Sequence, residues 1–264
     1  MNRIDQKFKE LKARRQKAFI AFITAGDPNL AMTERLVPAF EEAGVDIIEL
    51  GVPFSDPLAD GSTIQAASHR ALAGGTTLKK IFESVKRIRQ HTALPIALMT
   101  YYNPVFSYGD EAFITMCKAV GVDGVIIPDL PPEEASVLTT AARKHDIATV
   151  FFIAPTTTDA RIKANTQAST GFVYYVSLTG VTGVNQAVAK DVVKDIARAK
   201  RFTQKPICAG FGITNALQAK AIAAVADGVI VGSAIVKEIQ QHAGKPDAVK
   251  QVTRFVSTLV KAIR

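Results

Sequence analysis

Three apolar runs, PIALMT at residues 95–100, GVIIP at 124–128 and ATVFFI at 148–153, decide the fold. Between them lie DEAFITMCKAV at 110–120 and PEEASVLTTAARK at 132–144, whose apolar residues recur at helical spacing. Each run is continuously apolar rather than alternating, the pattern of a parallel strand covered on both faces. Working outward, five more such runs appear: Phe19–Thr24, Asp46–Leu50, Phe172–Ser177, Pro206–Gly210 and Gly228–Gly232. Helix-period stretches separate them at Leu30–Glu42, Leu78–Gln90, Val188–Lys200 and Thr214–Ala224, with a terminal helix at Asp247–Ile263. Gly44, Gly121 and Gly228 follow helical patterns, and Pro95 and Pro206 open strands. Strand and helix alternating eight times without a linker predict an α/β chain folded as one closed (β/α)8 barrel over residues 1–264. Ile4, Phe8 and Leu11 predict an extra N-terminal amphipathic helix. An open doubly wound sheet is the alternative, but no GxGxxG follows the first strand.

The composition agrees. Of 264 residues, 48% are hydrophobic and 21% charged, which excludes a disordered, collagen-like or disulfide-stapled chain. Cys117 and Cys208 form no metal or redox spacing, so a reducing, cytoplasmic compartment is expected. No apolar run is long enough to span a bilayer, and Met1–Lys17 lacks a signal-peptide apolar core, so no membrane association is expected. The excess of 32 basic over 24 acidic residues, +8, is spread over many helices without interleaved aromatics. That argues against nucleic acid and leaves a solvated surface with some attraction for anionic ligands.

In such barrels chemistry gathers at the C-terminal ends of the strands. Glu49 is a carboxylate inside the otherwise apolar run IIELGVPF at 47–54, near that end. Burial raises a carboxyl pKa, which suits a group that both donates and accepts a proton near neutrality. A structural carboxylate held by a serine or tyrosine is the other reading. The loop that follows holds Asp56, most simply a turn residue before Pro57, and Asp60, either a helix cap or a catalyst. Glycines after the last three strands, in Thr179–Gly183, Gly210–Gly212 and Gly232–Ser233, expose backbone N–H groups in the manner of a phosphate site. No lysine lies in the predicted strands, which argues against a Schiff-base aldolase. His69, His91, His145 and His242 fall on predicted helices or their ends, so no metal site is expected.

These residues resemble a known family. FITAGDP at 22–28, ELGVPFSDPLADG at 49–61, the Thr179–Gly183 loop, GFGI at 210–213 and GSAIV at 232–236 together resemble the tryptophan synthase α subunit, over essentially the whole chain. The resemblance implies a TIM barrel that cleaves indole-3-glycerol phosphate to indole and glyceraldehyde 3-phosphate. It implies that indole passes to a pyridoxal-phosphate-dependent β subunit in an αββα heterotetramer, with no cofactor in this chain. Carried over, Glu49 is the acid/base that protonates indole C3 and assists proton removal from the glycerol hydroxyl, and Asp60 accepts the indole N–H. Gly183, Gly212, Gly232 and Ser233 match phosphate positions. Phe22, Ile64, Tyr101, Ile153, Tyr174, Thr182 and Phe211 match the indole pocket or its supports. The loop with Pro53, Asp56 and Pro57 matches a lid that faces the partner. Ser62 stands where proline is frequent, and Thr179-Gly180 replaces an Arg-Ala form of the second lid.

The implied mechanism fits the residues. Retro-aldol cleavage needs an electron sink, and indole protonated at C3 is its own, so positioned proton transfer and charge stabilisation suffice. A stand-alone lyase and a non-catalytic partner are the alternatives, and intact Glu49 and Asp60 argue against the second.

Overall fold

The computed structural model describes residues 1–176, 186–210 and 212–264, and only the backbone of residues 186–191. The described residues form nine parallel strands set among helices: β1 (Ala18–Thr24), β2 (Ile47–Gly51), β3 (Ile96–Met99), β4 (Gly124–Ile126), β5 (Ala148–Val150), β6 (Phe152–Ile153), β7 (Val173–Val176), β8 (Ile207–Gly210) and β9 (Gly228–Val231). Helix α1 (Arg3–Ala13) precedes them. Then come α2 (Leu30–Glu42), α3 (Ser62–Ala73), α4 (Leu78–Ile88), α5 (Tyr102–Tyr108), α6 (Asp110–Val120), α7 (Ser136–Lys144) and α8 (Asp159–Ala168). The remaining helices are α9 (Gln186–Lys200), α10 (Ala216–Ala223), α11 (Ser233–His242) and α12 (Ala248–Ala262).

The sheet order, β5-β4-β3-β2-β1-β9-β8-β7-β6, begins and ends in one stretch of chain. Residues 148–153 were expected as a single strand. They divide at Phe151: the first half pairs with β4 and the second with β7. Thr149 and Phe151 donate their N–H groups to the hydroxyls of Thr170 and Ser169, which carry the chain across the gap. The run thus closes the barrel, and the open-sheet alternative falls.

Side chains alternate between two buried layers. Ala18, Ile20, Ile47, Ala97, Ile126, Val150, Cys208 and Ile230 point inward, where Ile4, Phe8 and Leu11 of α1 cap the barrel floor. Phe19, Ala21, Ile23, Ile48, Leu50, Leu98 and Val229 point outward into the helix layer. Burial on both sides explains why the runs read as continuously apolar. Gly228 is not a helix stop but the first residue of β9. A Cβ there would lie 2.6 Å from Cys208 Sγ and 3.0 Å from Ala18 Cβ, so the narrow floor admits only glycine.

A repeated carboxylate ties the strand starts together. Asp46, Asp123 and Asp227 stand just before β2, β4 and β9, and each accepts the N–H that opens a neighbouring strand segment, from Phe19, Ile96 and Ile207 at 2.8–2.9 Å. The pattern is visible as VDII at 45–48, VDGV at 122–125 and ADGV at 226–229. Asp123 also accepts from Arg3 and Arg89, which binds α1 and the end of α4 to the floor.

The basic excess has a location. Most helices carry cations in their last turn, among them Lys86 and Arg87, Lys118, Arg143 and Lys144, Arg198 and Lys200, Lys220 and Lys261. The helices return antiparallel to the strands, so those turns lie at the barrel floor, where cations complement the helix dipoles. Replacing Asp123 with alanine would leave Arg89 Nη2 and the Ile96 N–H without their carboxylate acceptor, and would leave the Arg89 charge, otherwise held by the Gly121 and Leu94 carbonyls, with no counter-ion there. Equilibrium denaturation of Asp123→Ala is expected to show a loss of about 3–5 kcal/mol; a loss below about 1 kcal/mol would remove this role.

Candidate active site

The strand ends opposite that floor form a narrow cleft lined by Phe22, Thr24, Gly51, Asp60, Ile64, Ser68, Met99 and Tyr101, among others. Phe22 and Glu49 are in register on β1 and β2, and both point inward. Gly51 and Gly232 leave room for the Phe22 ring, since a Cβ at either would lie 2.6 Å and 3.3 Å from it.

Glu49 is fully buried, and among the described residues neither carboxyl oxygen has a hydrogen-bond partner. Burial alone lifts its pKa from 4.5 to about 8. The structural reading of Glu49, a carboxylate held by a hydroxyl, is therefore not what the barrel contains. Tyr174 is partly buried on the inward face, and its phenol pKa is raised by burial and by the nearby charges of Glu49 and Asp60. Tyr174 stacks on Phe152 at 4.8 Å, and its hydroxyl would lie 2.8 Å from a Cβ at Gly210.

Asp60 does not cap α3. The cap position is Gly61, with no side-chain bond. The Asp60 carboxyl instead meets the Tyr101 hydroxyl, and partial burial outweighs that bond to raise its pKa to about 6. The loop before it is pinned over the cleft: Ala59 N–H donates to the Tyr101 hydroxyl at 2.9 Å, and Phe54 stacks on Tyr101 at 5.3 Å. Gln65, from the first turn of α3, donates to the Asp60 carbonyl at 2.8 Å. Arg70 on α3 clamps Asp27 after β1 with two bonds of 2.8 Å, which holds the helix behind Asp60 against the neighbouring loop. Pro53 and Pro57 are buried at the loop's base, while Asp56 is exposed and accepts from Ser55 at 2.5 Å.

Across the mouth, Gly232 precedes α11 and provides no side-chain cap, so Ser233 opens a helix whose first amides face outward from the strand end. Gly212 adopts φ +59, a left-handed conformation that favours glycine. Thr182, Gly183 and Phe211 lie outside the described residues.

One expected pocket residue faces away from the barrel interior. Ile153 is in register with Tyr175, and both pack outward with Ile162, Val192 and Ile196. Because facing alternates along a strand, Phe152 takes the inward position beside Tyr174. Thr24, Ser68 and Met99, which line the cleft, were not singled out from sequence. Thr24 could have been, as a polar residue closing the apolar run at 19–24, near the strand end as Glu49 is.

The profile of the family described as tryptophan synthase alpha chain matches residues 8–264. The tryptophan synthase alpha chain of Geotalea daltonii is 48% identical over 264 residues, covering 100% of this chain and 98% of that one. The crystal structure of tryptophan synthase subunit alpha from Legionella pneumophila superposes with a TM-score of 0.93 at 36% identity, covering 100% of this chain and 98% of that one. A chain of the Mycobacterium tuberculosis tryptophan synthase gives 0.91 at 35% identity, covering 100% and 98%. With sequence and backbone agreeing from one end to the other, the chain belongs to the tryptophan synthase alpha chain family.

Proposed function

We propose that this chain performs the lyase reaction of the family's alpha subunit, cleavage of indole-3-glycerol phosphate in tryptophan biosynthesis, with Glu49 and Asp60 as its catalytic pair. The observation that carries this reading is Glu49, fully buried with no hydrogen-bond partner among the described residues, a placement that lifts its pKa to about 8. One of its oxygens delivers the proton to indole C3. The resulting cation accepts the electrons of the breaking carbon–carbon bond. The carboxylate then takes the proton of the glycerol hydroxyl as that carbon becomes the aldehyde of glyceraldehyde 3-phosphate. The proton count balances, and Glu49 ends in its starting form. Asp60, ionised above about pH 6, accepts the indole N–H and offsets the positive charge on the ring.

Phe22, Ile64, Tyr101 and Tyr174 form the indole pocket in this reading, and Gly183, Gly212, Gly232 and Ser233 hold the phosphate, where the start of α11 complements its charge. Thr182 and Phe211 complete the pocket, with Phe152 in place of Ile153. The chain acts as one domain, without its own cofactor, in the cytoplasm. Its partner is the β subunit in an αββα assembly, with pyridoxal phosphate in β. The loop of Pro53, Asp56 and Pro57 meets that partner, and Leu58, 92% exposed, offers it an apolar contact.

Glu49→Gln is expected to lower indole release from the purified chain by at least ~10²-fold. Unchanged turnover would remove Glu49 from the mechanism. Above about pH 4.5 the unfolded chain releases a proton that native Glu49 keeps until about pH 8, so this group's contribution to stability falls as pH rises through that window. Glutamine abolishes that dependence, and Glu49→Gln is expected to gain on the order of 3 kcal/mol at pH 7 in denaturant titrations. Asp60→Asn is expected to lose a similar share of activity. For the native chain, kcat/KM should rise with ionisation of Asp60 near pH 6 and fall with deprotonation of Glu49 near pH 8. A profile flat from pH 5 to 9 would contradict both assignments.

A further inference from the structure

Among the described residues, the buried side-chain atoms without a hydrogen-bond partner include three at the barrel mouth: both Glu49 oxygens and Thr24 Oγ1. Thr24 ends β1 and is 2% exposed. It is in register with Gly51, two residues beyond Glu49 on the adjacent strand, so it lies on the inward face as Glu49's diagonal neighbour. It lines the same cleft as Asp60 and Tyr101. Of the other polar groups there, the Tyr101 hydroxyl meets Asp60 and the Ala59 N–H, and the Thr100 hydroxyl donates to the Tyr101 carbonyl. A buried hydroxyl with no partner is costly, and the cost is removed when a ligand supplies one.

We infer that Thr24 is a substrate-contacting residue whose hydroxyl donates to the same glycerol oxygen that gives its proton to Glu49. A hydroxyl has one donor and two acceptor positions. Donation to Glu49 alone leaves its oxygen free to turn, and a second bond from Thr24 fixes the O–H along the line of transfer. As the proton leaves, the oxygen gains negative charge, and the Thr24 bond strengthens with it. Neither apolar pocket walls nor Asp60 supply this contact, because Asp60 is engaged at the far, nitrogen end of indole.

This inference rests on the assignment of Glu49 above, and Glu49→Gln tests that assignment separately. The test here is Thr24→Val, which keeps shape and removes the hydroxyl, beside Thr24→Ser, which keeps it. Two measurements are made on the full chain: kcat/KM for indole release, and binding of 3-(indol-3-yl)propyl phosphate, which lacks the glycerol hydroxyls. Thr24→Val should lose about 10-fold or more in kcat/KM yet bind the deoxy compound as the native chain does, and Thr24→Ser should retain most activity. Native kcat/KM in Thr24→Val would overturn the inference. So would equal weakening toward both ligands, which marks a packing role, or failure of serine to restore the rate.

Discussion

Closing eight stretches of parallel strand into a ring leaves each with one face inside the barrel and one beneath the helices. An inward carboxyl then has no route to water. Glu49 occupies such a position, with no hydrogen bond to its oxygens among the described residues, and burial raises its affinity for a proton until its pKa is about 8. An acid strong enough to protonate indole and a conjugate base able to take the hydroxyl proton follow from that one placement. Asp60, on the loop above, is only partly enclosed and remains mostly ionised at the same pH. Two carboxyls of one chain take opposite forms because one lies within the ring and the other at its edge.

The ring also gives the molecule two chemically different ends. Helices running back against the strands bring their amide ends to the mouth and their carbonyl ends to the floor. The cations that close the helices therefore gather at the floor, together with Asp46, Asp123 and Asp227, which anchor strand starts. Much of the +8 charge is thus accounted for by helix ends rather than by a polyanionic partner. The mouth holds a helix start and a pinned loop, while the floor holds the paired carboxylates and the helix-closing cations.

The strand and helix runs were legible in the sequence because burial on both faces writes a continuous apolar segment. Helices α2 and α6 begin and end where their periodicity and following glycines put them. The short α5 and α8 were not legible. Seven residues of α5 are too few for a period, and α8 buries only Ile162 and Thr166, so its sequence is nearly polar all round. Glu49 was legible as a lone charge in an apolar run. Thr24 carried the same kind of signal more faintly, because a hydroxyl in a strand has many ordinary explanations.

By itself the sequence determined the alternation, the approximate limits of the strands, the carboxylates near the mouth and the family they resemble, since all of these are properties of local order along the chain. Only the tertiary structure decided which way each strand residue faces, and so exchanged Ile153 for Phe152. It also split residues 148–153 to close the ring and decided between the two readings of Asp60, which does not cap α3 but meets Tyr101. The physical reason is common to all three. Facing, closure and the company of a carboxyl depend on registers between segments far apart in sequence, and a one-residue step in register moves a side chain from one buried layer to the other.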